Sequence, residues 1–191
     1  LKKGYVKLGL EMFETDQQLV LDEYLDGLVT DKYFKNQCQF WPNYSIDYHP
    51  LVKYARDNSM KVIGTNAPNR YAKMVYYFGD QYLLLVSKGA KKYFTMPHYF
   101  DSTLVSYADI KKYVPKGHNA KNTLKAQVLK DATMANSILE HRDNKELFFH
   151  INGSYHSKNG EGIVWHLKAH KSKLRIGVIT QIEGGYMYQE Y

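Results

Sequence analysis

Residues Glu146–Leu167 read ELFFHINGSYHSKNGEGIVWHL. An apolar run, ELFFHI, enters a turn holding Gly153, Gly160 and Gly162, and a second apolar run, GIVWHL, leaves it. That order predicts a strand, a glycine-rich turn and then a helix. A tyrosine and a histidine, Tyr155 and His156, stand inside the turn. Working outward, YVKLGLEM (Tyr5 to Met12) reads as a buried strand, MKVIGTN (Met60 to Asn66) as another strand, and KLRIGVITQI (Lys173 to Ile182) as a fourth. Between them lie helical patterns. Leu19, Leu21, Leu25 and Leu28 of ETDQQLVLDEYLDGL suit a helix, with Thr15 or Asp16 as N-cap. A helical region over Thr30 to Asn58 is interrupted by Pro42, and its second helix starts near Pro50. APNRYAKMVYYFG forms a helix closed by Gly79, and Asn119 to His141 is the longest helical pattern. Strands alternating with helices predict an α/β fold, a mostly parallel sheet flanked by helices. Residues 80–118 mix short helical pieces with Pro and Gly and read as a small helical subdomain or insertion within a single domain spanning 1–191.

The bulk numbers bound the function. At 191 residues with 44% apolar content, the chain is one domain with enough material for a core. The formal charge is +7, carried in short clusters, KGAKKY, IKKYVPKGH and KAHKSKLR. There is no RNA-recognition motif, zinc-finger spacing or long basic run with interleaved aromatics, so no nucleic-acid partner is expected. A basic surface suits an anionic small ligand or a nearby anionic membrane. Cys38 is the only cysteine, which rules out an internal disulfide. No transmembrane run or signal peptide is visible. The abrupt opening into a strand reads as a piece of a longer protein, whose missing ends could hold an export signal or a lipid-anchor cysteine. Walker A, HExxH, G-x-S-x-G and G-x-G-x-x-G patterns are absent, so nucleophilic catalysis has little support.

In open parallel sheets, ligands bind beyond the carboxyl ends of the strands. The first strand ends at Glu11 and Glu14, the second at Asn66 followed by Arg70, the third at Tyr155 and His156. A parallel sheet would gather Glu11, Asn66, Arg70, Tyr155 and His156 on one rim. On the long helix, Gln127, Asp131 and Met134 share a stripe beside the apolar line of Leu124, Val128, Ala135 and Ile138. A carboxylate there needs a partner, whether a buried Arg, a helix N-terminus or a site residue.

These residues carry a resemblance. GLEMFE (Gly9 to Glu14), DYHPLVKYAR (Asp47 to Arg56), TNAPNRY (Thr65 to Tyr71), KDATMA (Lys130 to Ala135) and GSYHS (Gly153 to Ser157) resemble, in order, segments of the ChaN-like haem-binding family of the Tiki, TraB and erythromycin-esterase superfamily. The family's first motif, a Gly-Glu-x-His turn, is missing, and the arginine that follows its proline is Asn69 here, with Arg70 next. The resemblance implies an envelope lipoprotein of haem and iron uptake, with haem as cofactor and no separate metal. It implies tyrosine ligation, a homodimer closing over paired haems, and an outer-membrane haem receptor as a possible partner. Tyr48 matches the family's Tyr-x-Pro-Leu tyrosine. Tyr155 and Tyr44 are the other ligand candidates, and His49, His118 and Lys116 are loop candidates for the propionates. A phenolate suits ferric iron, and basic groups complement propionates.

Two alternatives to a haem carrier without turnover stay open. One is a metal-dependent or esterase-like hydrolase built on Glu11, Arg70 and His156. The other is a noncatalytic interaction domain that kept the fold.

Overall fold

The computed structural model describes residues 6–38, 40–143 and 146–191. Tyr5, the expected start of the first strand, lies outside them. The chain forms two compact units. One comprises residues up to Asn66 with Ser137–Ile151, the other Ala67–Asn136 with Asn152–Tyr191.

The first unit is built on a three-stranded parallel sheet in the order β2-β1-β3. β1 (Val6–Glu14) is central and buried on both faces, which is why LGLEMF is almost continuously apolar. β2 is Val62–Asn66 and β3 is Leu147–Ile151. Gly9 has a steric reason. A Cβ there would stand 2.5 Å from Phe148 and 2.8 Å from His150. The absence of that carbon lets the His150 ring lie over the central strand, where its Nε2 is 2.8 Å from the Thr65 hydroxyl on β2.

The turn after β1 is capped by Glu14, not by Thr15 or Asp16 as the sequence suggested. Glu14 and Gln17 form a reciprocal capping box, with the Glu14 N–H donating to Gln17 Oε1 at 3.0 Å. A carboxylate serves this role as well as a hydroxyl does, because it accepts from the same orphan N–H groups. α1 (Gln18–Leu25) then lies beside β2. The Gln18 amide donates to Val62 O and accepts from Gly64 N, so it covers that strand's free edge. α2 (Asp31–Gln37) and α3 (His49–Asp57) are separated by Pro42 and a π turn over Tyr44–Tyr48. Their aromatic side chains complete the core. Tyr24 stacks on Phe34 at 4.2 Å, Phe13 on Phe34 at 5.9 Å, and Tyr44 meets Phe40 at 3.9 Å.

The second unit is mainly helical. It contains α4 (Asn69–Phe78), α5 (Val105–Tyr113), α6 (Ala120–His141) up to Asn136, and α7 (Ile163–His170). Residues 80–118 supply two 3-10 turns, Asp80–Leu84 and Lys91–Tyr93, and α5. Leu83, Val86, Phe94 and Met96 pack with Tyr71, Val75, Ala126 and Leu129. The fourth strand differs from the sequence reading. β4 (Gly177–Ile182) lies outside the parallel sheet and pairs antiparallel with β5 (Gly185–Glu190), which the sequence reading did not anticipate. Only Glu183 and Gly184 separate them, and a link that short can join only antiparallel strands. Gly184 takes the left-handed φ of +79° that the turn requires.

Candidate functional site

Three short segments of the second unit converge. On α6, Thr123, Gln127 and Asp131 repeat every four residues and so share a stripe. On α5, Ser106, Tyr107, Ile110 and Tyr113 form one face. The third segment is the glycine-rich turn, folded as a 3-10 turn over Ser154–His156. All but Asp131 of these α5 and α6 residues, together with Tyr155, line a pocket of about 290 Å³. That is the low end of the roughly 300–1,000 Å³ usual for small-molecule sites.

Behind this wall lies a buried polar network. Asp131 is fully buried. Its Oδ2 accepts a 2.8 Å hydrogen bond from the Tyr107 hydroxyl, and its Oδ1 accepts from His156 Nδ1. The Gln127 amide lies 3.0 Å from the same imidazole nitrogen. With Nδ1–H committed to the carboxylate, the imidazole is held in one tautomer and one orientation. The Tyr107 hydroxyl is also 3.3 Å from His166 Nε2. Burial, then the Asp131 charge, pushes the Tyr107 phenol far above its ordinary range. Burial, aided by His170, pushes His166 down to about 4, so it is neutral at pH 7.

The same turn grips α5. The Glu161 carboxylate accepts from Val105 N at 2.9 Å and Ser106 N at 2.6 Å. It therefore caps α5 from a distant part of the chain, where the helix dipole favours an anion. Gly162, at φ +54°, packs so closely on the His156 carbonyl that a Cβ would clash with it. The turn is thus tied to α6 through His156 and to α5 through Glu161.

One pocket side chain is well placed to meet a ligand. Tyr155 is 49% exposed and meets Tyr113 edge-to-face, with ring centroids 6.1 Å apart. A hydrogen bond between the two phenols raises the Tyr113 pKa. The Lys158 ammonium sits over the Tyr155 ring, 4.2 Å from its centroid. Ser106 Oγ, by contrast, is buried and has no hydrogen-bond partner among the described residues. An aromatic wall, a half-exposed tyrosine and an adjacent ammonium fit a flat, apolar, carboxylate-bearing macrocycle such as haem. The volume fits part of one rather than the whole.

The other sequence candidates lie as follows. Tyr48 is half-buried, packs on the first unit's core and meets Trp41 edge-to-face at 5.8 Å. Tyr44 is buried among Phe13 and Phe40, its hydroxyl has no hydrogen-bond partner among the described residues, and burial drives its pKa up. His49 lies 3.5 Å from the Tyr24 hydroxyl and 3.9 Å from Asp31, and burial lowers its pKa. Glu11 and Asn66 are buried at the carboxyl ends of β1 and β2 in the first unit. Arg70 belongs to the second unit, its guanidinium 4.5 Å from the centre of the Tyr71 ring. Lys116 is exposed, and His118 Nδ1 lies 2.6 Å from the Tyr76 hydroxyl. Among the described residues no group of three or more His, Cys, Asp or Glu could hold a metal ion. The structure therefore brings Tyr155, His156 and Asp131 together. It adds Tyr107, Tyr113, Ser106, Glu161 and His166, which the sequence reading missed. The three-residue spacing of Tyr107, Ile110 and Tyr113 was the available signal for a helix face.

A family model described as haem-binding uptake, Tiki superfamily, ChaN matches residues 1–167, and the chain belongs to that family. A solved structure described as cofacial heme binding to ChaN of Campylobacter jejuni shares the fold. It aligns with a TM-score of 0.63 at 20% identity, covering 98% of this chain and 74% of that one. Protein RETICULATA-RELATED 5, chloroplastic, of Arabidopsis thaliana is 27% identical over 146 residues, 71% of this chain. The match spans only 20% of the plant protein's length.

Proposed function

We propose, from membership of the ChaN family and the pocket of the second unit, that the protein binds haem through the Tyr155 phenolate as a carrier in haem and iron uptake, without turnover. The observation that carries this reading is the half-exposed Tyr155 phenol in an aromatic pocket wall. Phenolate is a hard anionic donor matched to ferric iron. Of the three candidate tyrosines, Tyr44 has its hydroxyl sealed in the core and Tyr48 packs against that core, which favours Tyr155. Haem would supply the coloured ferric centre; the chain's own residues bind and orient it. Ile110, Tyr107 and Tyr113 offer apolar contact, and Lys158, over the Tyr155 ring, a cation for a propionate. A pocket that takes only part of a macrocycle leaves the rest for a second copy of the chain, consistent with a haem-linked homodimer. We place this carrier in the cell envelope, lipid-anchored or periplasmic, where an outer-membrane haem receptor would be its partner.

The test is a hemin titration followed by absorbance and sedimentation. Saturable binding with a tyrosinate-type spectrum is expected, together with hemin-dependent dimerisation. Tyr155→Phe should abolish the tyrosinate band and leave the melting temperature unchanged, while Tyr48→Phe should keep the band. A band that survives Tyr155→Phe and vanishes in Tyr48→Phe moves the ligand to the first unit. No saturable binding by the full protein ends the proposal.

A further inference from the structure

We propose that the Tyr77–Lys92 face of the second unit is a docking surface for an anionic phospholipid bilayer. This inference does not depend on haem. The end of α4 and the 3-10 turn after it turn large apolar side chains outward. Leu84 and Leu85 are 75% and 78% exposed, and Tyr77 and Phe78 are 59% and 57% exposed. The rings form a continuous file, with Tyr77 6.2 Å from Phe78 and Phe78 5.3 Å from Tyr82. A cluster of this kind on a protein surface marks an interaction site.

The charge around it selects the occupant. Between Ala67 and Phe100 the chain carries Arg70, Lys73, Lys88, Lys91 and Lys92, against one acid, Asp80. Asp80 is already paired with Lys125. The basic cluster is held beside the leucines, since the Lys91 ammonium donates to Leu84 O at 3.3 Å. Exposed leucines suit the acyl boundary, tyrosine and phenylalanine rings the headgroup layer, and flexible lysines the anionic surface. The exposed apolar face of the β4–β5 hairpin also follows a basic stretch, Lys168 to Arg175, but it carries no exposed leucine pair and its strands and turn hold two acids, Glu183 and Glu190. Its Ile179, Tyr186 and Tyr188 share a strand pair that also carries Glu190, bonded to the Tyr188 hydroxyl.

Co-sedimentation of the whole chain with vesicles tests this. One set is phosphatidylcholine alone, the other phosphatidylcholine mixed with phosphatidylglycerol. Binding to the mixed vesicles only is expected. L84S/L85S should weaken it by at least about tenfold, and K88Q/K91Q/K92Q by on the order of 100-fold. The hairpin variant I179S/Y186S should bind as the unaltered chain does, and all variants should melt cooperatively. Three results overturn the proposal: no binding to the mixed vesicles, equal loss in the hairpin variant, or a lipid-free dimer that L84S/L85S dissolves. The last would make a second copy the occupant.

Discussion

Tyr44 and Tyr107 are both buried phenols, one in each unit, and their surroundings are opposite. Tyr44 sits in an aromatic core with its hydroxyl unpaired among the described residues, while Tyr107 donates to a buried carboxylate and lies beside a buried histidine. Tyr44 serves as hydrophobic bulk, whereas Tyr107 is a member of a hydrogen-bonded network behind a pocket. Residue type alone therefore does not separate a core tyrosine from a site tyrosine; the partner of the hydroxyl does.

The sharpest way to break this contrast is Asp131→Ala. It removes the buried carboxylate that the Tyr107 hydroxyl and His156 Nδ1 share, and should cost about 3–5 kcal/mol in urea unfolding. The same change should loosen Tyr155 and weaken hemin binding. Next comes pH. His166 is held at about 4 in the folded protein, against about 6.5 unfolded. The folded state therefore binds fewer protons between those values, and stability falls as pH drops from about 6.5 toward 4. The expected loss is roughly 3 kcal/mol, and His166→Asn should flatten that part of the stability–pH curve. The smallest effect belongs to the first unit. Tyr44→Phe removes a hydroxyl that has no partner among the described residues, and should change stability by less than about 1 kcal/mol. A larger cost would mean that a bound water satisfies that hydroxyl.

The same contrast explains what could be read in the sequence. Buried parallel strands declare themselves as apolar runs, so GLEMF and VIGTN were legible; ELFFHI was legible as an apolar run too, although Leu147 and Phe149 of its strand are exposed. So was the long helix, because its apolar stripe persists for many turns. Asp131 stood out as a carboxylate beside that stripe, but its partners are 24 and 25 residues away in sequence, and local periodicity cannot reach them. The pocket wall on α5 was illegible for a different reason. Its helix is short, is capped at its N-terminus by the remote Glu161, and is preceded by irregular chain in which Pro and Gly obscure the period. The second strand of the C-terminal hairpin was missed because GGYMYQEY is too short and too exposed to alternate clearly between apolar and polar residues.

Glu161 caps a helix that precedes it by 55 residues. On a ribosome adding roughly 5–20 residues per second, α5 would wait roughly 3–11 s for the residue that completes its N-terminus. The pocket wall on α5 therefore matures only after residue 161 has been made. A nascent chain that stops short of Glu161 would expose that wall without the clasp that orders it.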